Sequence, residues 1–167
     1  MILLSLCWYC IFQAFVLLIA ANGAPVIITK LLGNRLARPI DNGLVLGDGY
    51  RLFGSSKTWR GFFSALVFCV AVVILFGLEP LTGVLFGLLA MVGDMLASFI
   101  KRRLGNAESS RARGLDTVLE SLLPLWLLKE SLALNLTDIA LIVVLFFLCE
   151  EFISPVLYRL NIRNQPY

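Results

Sequence analysis

The chain has 167 residues, 59% of them hydrophobic, with a mean hydropathy of +0.90 and a formal net charge of +3. Soluble domains are about 45–50% apolar, so the composition excludes an ordinary soluble domain and points to one bundle of helices in a bilayer. There is no histidine, which excludes histidine bases, histidine metal ligands and mixed Cys/His zinc sites.

Five stretches reach the roughly 17–25 apolar residues that a membrane-crossing helix needs. The first covers 1–21. It starts without a basic residue and is too long for a signal-peptide core, so it is expected to be a retained helix. Cys7 and Cys10 form a C-x-x-C there, among Leu, Trp, Tyr and Phe. Thiolates are disfavoured in such surroundings, so both cysteines are expected as small apolar packing residues.

A long loop, 22–61, follows. Between Asp48 and Gly61 it reads D-G-Y-R-L-F-G-S-S-K-T-W-R-G. Ser56, Lys57, Thr58 and Arg60 stand just before the second span, 62–78. Free backbone N–H groups at a helix start favour phosphate. The string is not a Walker A, because two serines separate Gly54 from Lys57. On its own it reads slightly better as an ordinary basic loop beside a membrane.

The third span, 81–101, carries Gly83, Gly87 and Ala90, a small-residue face suited to close helix contact. Asp94 follows on the side they lead to. An ionised carboxylate inside a membrane costs at least about 2.5–3.5 kcal/mol, which predicts a use for the charge. Asp94, Ser98 and Lys101 are spaced i, i+4, i+7 and share one helical face. That face offers a carboxylate, a hydroxyl and an amine at the edge of the bilayer, a set suited to a phosphate and a metal. Lys101, Arg102 and Arg103 also form an interfacial basic run.

The fourth span, 115–134, opens with Asp116 and Glu120 at i, i+4. Acids there often just complement the helix dipole. Asp94 lies one short hairpin away, however, and three converging carboxylates would repel without a cation. Oxygen ligands favour a hard divalent ion, Mg²⁺ above all. In the fifth span, 138–158, Glu150 and Glu151 fit a buried pairing role or a site role equally well.

Orientation follows from the basic residues. Lys30, Arg35, Arg38, Arg51, Lys57 and Arg60 lie in the long loop, five more lie in 101–114, and Arg159 and Arg163 lie in the tail. With the N-terminus outside, thirteen of the fourteen Lys and Arg fall on the cytoplasmic side, and Lys129 is the exception. The C-terminus and the chemistry are then cytoplasmic, in a cell (inner) membrane. No G-x-S-x-G elbow is present, and with no histidine there is no conventional triad, so the chemistry must run without a histidine base. Nucleotidyl transfer to an existing phosphate suits that limit, because a phosphomonoester is already anionic at neutral pH, with a second pKa near about 6.

Several strings resemble one family. They are A-N-G-A-P-V from Ala21, P-I-D-N-G from Pro39, the loop string from Asp48, G-D-M-L-A-S-F-I-K-R-R from Gly93, and Leu115-Asp116. Together the chain is similar to the CDP-archaeol synthase family, membrane cytidylyltransferases related to phosphatidate cytidylyltransferases. The resemblance implies a five-helix integral enzyme with CTP and a membrane lipid phosphate as partners, the lipid being an isoprenoid ether glyceryl phosphate or a phosphatidate. It implies Mg²⁺ as cofactor, held by Asp94, Asp116 and Glu120, and a CDP-lipid and pyrophosphate as products. It puts the catalytic charges on Lys57, Asp94, Lys101 and Asp116, with Ser56, Thr58, Arg60, Ser98 and Arg102 around the phosphates. The family pattern has a second aspartate three residues after the first. Leu119 stands there in this chain, and Glu120 follows at i+4. A homodimer is an allowed assembly, and no nucleic-acid partner is expected. The rival readings are a CDP-alcohol phosphotransferase, whose D-G-x-x-A-R motif is missing, and a small transporter or scaffold subunit.

Overall fold

A computed structural model describes residues 6–106 and 114–159, with side chains through Phe152. Arg111, Arg113 and Arg163, which entered the orientation argument, lie outside the described residues. The architecture is all-α, as expected, with five helices: α1 Trp8–Leu32, α2 Trp59–Leu75, α3 Pro80–Arg103, α4 Leu115–Leu127 and α5 Leu136–Arg159. By length and composition α1 and α3 can each cross a membrane, and α2 is a shorter apolar helix.

The C-terminal ends of α1 and α4 differ most from the sequence reading, and the other helices are shifted by a few residues. Helix α1 does not stop at residue 21 but continues through Asn22, Gly23 and Pro25 to Leu32. Proline and glycine disfavour a helix interior by propensity alone, yet the ring of Pro25 packs here against Gly61 at the start of α2, where an added Cβ would lie 3.3 Å from it. The connecting loop therefore shrinks from 22–61 to 33–58. Thr58 caps α2, its hydroxyl accepting from Gly61 N.

Helix α4 ends at Leu127 rather than 134. Its 13 residues span about 20 Å, less than the roughly 30 Å hydrocarbon thickness. Residues 128–134 fold into turns, with Ala133 at φ 51°. They do so because Leu128, Leu132 and Leu134 turn inward to join the apolar core. Asp138 secures that end: fully buried, it accepts from Asn135 N at 3.1 Å and from Cys7 N at 3.3 Å. The first turns of α1 and α5 are thereby tied together. Cys7 and Cys10 are disulfide-bonded, not free packing thiols. Their i, i+3 spacing across the first turn of α1 brings the Cα atoms to 5.2 Å, within disulfide range.

Helix α3 is the centre, in contact with α1, α2 and α4. The small-residue face works as expected. An added Cβ on Gly83 would lie 2.8 Å from Val70 Cα, and one on Gly87 would lie 3.0 Å from Leu66 Cα, so both glycines admit the α2 backbone. Gly93 does the same for α4: a Cβ there would meet Leu119 O at 2.3 Å and Glu120 Cα at 2.7 Å. Only a glycine permits that approach. It sets the helix carrying Asp94 directly against the helix carrying Asp116 and Glu120.

Candidate active site

Two ion pairs join three segments at one end of the bundle. The Lys57 ammonium, from the loop before α2, reaches both oxygens of Asp94 on α3 at 2.6 Å. The Lys101 ammonium, near the C-terminal end of α3, lies 2.8 and 2.9 Å from the two oxygens of Asp116 on α4. Lys101 does share the inner face of α3 with Asp94 and Ser98, and both it and Ser98 are buried. It pairs with the neighbouring helix because i, i+7 separates the two Cα atoms by about 10 Å along the axis.

Glu120 lies between these pairs, 4% exposed. It is within electrostatic reach of Asp94, Lys57, Asp116 and Glu150. Its Oε1 is buried without a hydrogen-bond partner, a costly arrangement for a carboxylate. Glu150 belongs to the same neighbourhood, accepting from the Thr117 hydroxyl at 2.6 Å and joining α5 to α4. Burial works against the Lys57 ammonium. The carboxylate of Asp94 against it, with Glu120 and Asp116 beyond, outweighs that and raises its pKa above the ordinary lysine value.

The structure therefore gathers Lys57, Asp94, Ser98, Lys101, Asp116 and Glu120. Arg102 is buried at the same end of α3. Thr58 is occupied as the helix cap, and Ser56 is exposed on the turn before it. Arg60 faces another way. Its guanidinium donates to the carbonyls of Gly33 and Arg35 at 2.7 and 2.5 Å, fastening the end of α1 to the start of α2. Beside it opens a groove of about 390 Å³ lined by Leu36, Arg38, Trp59, Arg60 and Phe63. Trp59 and Phe63 stack at 5.9 Å and are both exposed.

The donor set suits a hard divalent cation, with three carboxylates and two buried oxygens, Glu120 Oε1 and Asp116 Oδ1, that accept no hydrogen bond. Its spacing is that of ion pairs instead. Among the described residues no three acidic or cysteine side chains stand together as a ready cage, and Asp94 and Asp116 each hold a lysine.

The sequence reading missed Gly93, Thr117 and Asp41. Asp41 lies in the P-I-D-N-G string, next to Asn42 at φ 47° and Gly43 at φ 84°. That left-handed pair signals a tight, designed turn. Burial pushes its carboxyl pKa up. The Arg51 guanidinium, followed by the N–H groups of Gly43, Gly54 and Phe53, more than offsets this and lowers it to about 2.

A family profile described as CarS-like, CDP-archaeol synthase, matches residues 3–167. A CDP-archaeol synthase of Sulfurisphaera tokodaii is 38% identical over 138 residues, which is 77% of this chain and 81% of the relative. One from Saccharolobus islandicus is 36% identical over 154 residues, 88% of this chain and 89% of the relative. One from Sulfolobus acidocaldarius is 34% identical over 157 residues, 90% and 91%. A solved structure of an intramembrane enzyme for archaeal membrane lipid biosynthesis superposes with a TM-score of 0.63 at 29% identity, over 81% of this chain and 89% of that one.

Proposed function

The chain belongs to the CDP-archaeol synthase family, and from that premise we propose that it transfers the cytidylyl group of CTP to an isoprenoid ether glyceryl phosphate in the membrane. As a member it is a lipid-phosphate cytidylyltransferase, a membrane enzyme of lipid biosynthesis. The observation that carries the site is the pair of half-buried lysine–carboxylate contacts, Lys57–Asp94 and Lys101–Asp116, around the buried Glu120, whose Oε1 has no hydrogen-bond partner.

A phosphate oxygen of the lipid attacks the α-phosphorus of CTP. The new P–O bond forms as the bond from the α-phosphorus to the bridging oxygen breaks, and pyrophosphate leaves with that oxygen. No proton need be removed from the nucleophile. The protein's work is alignment and charge neutralisation. Lys57 and Lys101 exchange their carboxylates for phosphate oxygens when CTP arrives, and Arg102 adds positive charge at the same end of α3. Once Asp94 and Asp116 are released from their lysines, they and Glu120 would hold Mg²⁺, which would further neutralise the nucleotide phosphates. The turn carrying Ser56 faces the triphosphate.

The lipid approaches by the groove at Trp59 and Phe63. Arg38 and Arg60 meet its phosphate at headgroup level, and the aromatic pair meets its chains. This arrangement is supported by the two arginines and the exposed Trp59–Phe63 pair lining one groove. In this reading the membrane carries five crossings, the fourth completed by the inward-turned residues 128–134 that follow α4, with the N-terminus outside and the site cytoplasmic. The basic asymmetry supports that orientation, and so does the Cys7–Cys10 disulfide at the N-terminal end of α1, since disulfides persist in oxidising compartments. Product analysis on purified protein with CTP, Mg²⁺ and a lipid panel tests the proposal. It expects a CDP-lipid from the isoprenoid ether phosphate. A product from phosphatidate alone would reassign the substrate, and no lipid-dependent product would sink the reading.

A further inference from the structure

The loop between α1 and α2 contains a buried carboxylate that the chemistry above does not use. The Asp41 side chain is 0% exposed. Its Oδ1 accepts from Arg51 Nη2 at 2.5 Å and from Gly43 N at 3.0 Å. Its Oδ2 accepts from Phe53 N at 3.2 Å and from Gly54 N at 3.0 Å. A carboxylate has about four acceptor sites, and all are engaged, so Asp41 is left without one for a metal or a substrate.

What it does instead follows from where its partners lie. Gly54, at φ 105°, opens the turn that ends at Lys57, and its carbonyl accepts from Lys57 N at 3.4 Å. The residue next to Asp41 holds the other side of that lysine, because Ile40 N donates to Lys57 O at 2.8 Å. The backbone of Lys57 is thus fixed on both sides by the segment that Asp41 organises. A second clamp holds the far side of the loop to the bundle. Arg103, on α3, donates to Asp48 Oδ2 at 2.6 Å and to the carbonyls of Tyr50 and Arg51 at 3.3 and 2.8 Å. The same helix carries Asp94, the partner of Lys57.

We propose that Asp41 is a positioning residue for cytidylyl transfer: together with Arg51 it presets the 54–57 turn so that the Lys57 ammonium and the turn's N–H groups meet the triphosphate in one fixed arrangement. The proposal rests on the reading of Lys57 as a phosphate ligand. It predicts that Asp41 acts on the nucleotide side of the reaction and acts through Lys57.

The test is a double-mutant cycle on CTP binding by calorimetry, with Asp41→Asn, Lys57→Ala and the double variant, beside steady-state KM values for CTP and for the lipid. Asp41→Asn should weaken CTP binding by about tenfold, the scale of a lost charge-assisted contact, and leave the lipid KM unchanged. In the Lys57→Ala background the same substitution should cost almost nothing. An equal loss in both backgrounds, or a loss confined to the lipid KM, would overturn the proposal. Gly54→Ala guards against misfolding of the Asp41 variant. It strains the turn at its positive φ while keeping the Asp41 carboxylate and its Arg51 partner, and should reproduce the selective loss of CTP binding; normal binding by that variant would also overturn the proposal. If Lys57→Ala alone binds CTP normally, the site assignment of Lys57 fails first, and the Asp41 proposal fails with it.

Discussion

Substituting alanine for Gly93 tests whether the contact between α3 and α4 sets the geometry of the site. The added Cβ would lie 2.3 Å from Leu119 O and 2.7 Å from Glu120 Cα, where ordinary contact begins at 3.4 Å. Both atoms belong to the α4 backbone, so no side-chain rotation relieves the clash, and α4 must retreat by about 1 Å. Overpacking of this kind costs about 1–3 kcal/mol of stability. The functional cost should be larger, because the retreat carries Glu120 and Asp116 away from Asp94, and a misplacement of about 1 Å can cost about a hundredfold in rate. Gly87→Ala is the matched control. Its Cβ would meet Leu66 Cα of α2 at 3.0 Å, on the side away from α4, so it should lower stability with far less effect on rate. The assay is CTP-dependent labelling of lipid, with thermal unfolding of each variant in the same detergent. A Gly93→Ala protein that melts lower but turns over at the wild-type rate would refute the idea that this glycine positions the carboxylates.

Asp94→Asn removes the partner of Lys57 and a proposed metal ligand, so turnover should fall by at least about a hundredfold with the fold retained; near-normal turnover would make Asp94 structural. Glu120→Gln should raise the Mg²⁺ concentration needed for activity, with Glu120→Asp recovering part of it, whereas superimposable Mg²⁺ titrations would remove Glu120 from the site. Asp41 has its pKa lowered from 3.8 to about 2, so its contribution is fully present above the unfolded value and disappears as pH falls from about 4 to about 2. That loss should amount to about 2 kcal/mol, read as a drop in Tm over the window that Asp41→Asn lacks. Reporter fusions at the two ends should report opposite compartments, N-terminus outside; the same compartment for both would remove the five-crossing topology.

The carboxylates were legible because of contrast: Asp94 and Glu120 stand out within apolar helices, and helical spacing alone puts Asp94, Ser98 and Lys101 on one face. Partnership was not legible. Lys57 reaches Asp94 across 37 residues of sequence, through a loop with no periodicity to read. The end of α1 was hidden because Gly23 and Pro25 signal a break by local propensity, while contact with Gly61 overrides it. The end of α4 was hidden because residues 128–134 are leucine-rich whether they continue a helix or fold back into the core. Asp41 sits in a polar loop where an aspartate is unremarkable, and only its closed set of hydrogen bonds distinguishes it.

The most direct measurement of the central claim is the fate of each phosphorus of CTP. Purified protein is given the isoprenoid ether phosphate, Mg²⁺ and CTP radiolabelled at either the α- or the γ-phosphorus, and the lipid and aqueous products are separated. The account predicts that the α label enters the lipid and the γ label leaves as pyrophosphate, with both losses abolished in Asp94→Asn. Transfer of the γ label to the lipid, or CTP breakdown that leaves the lipid unlabelled, would contradict it.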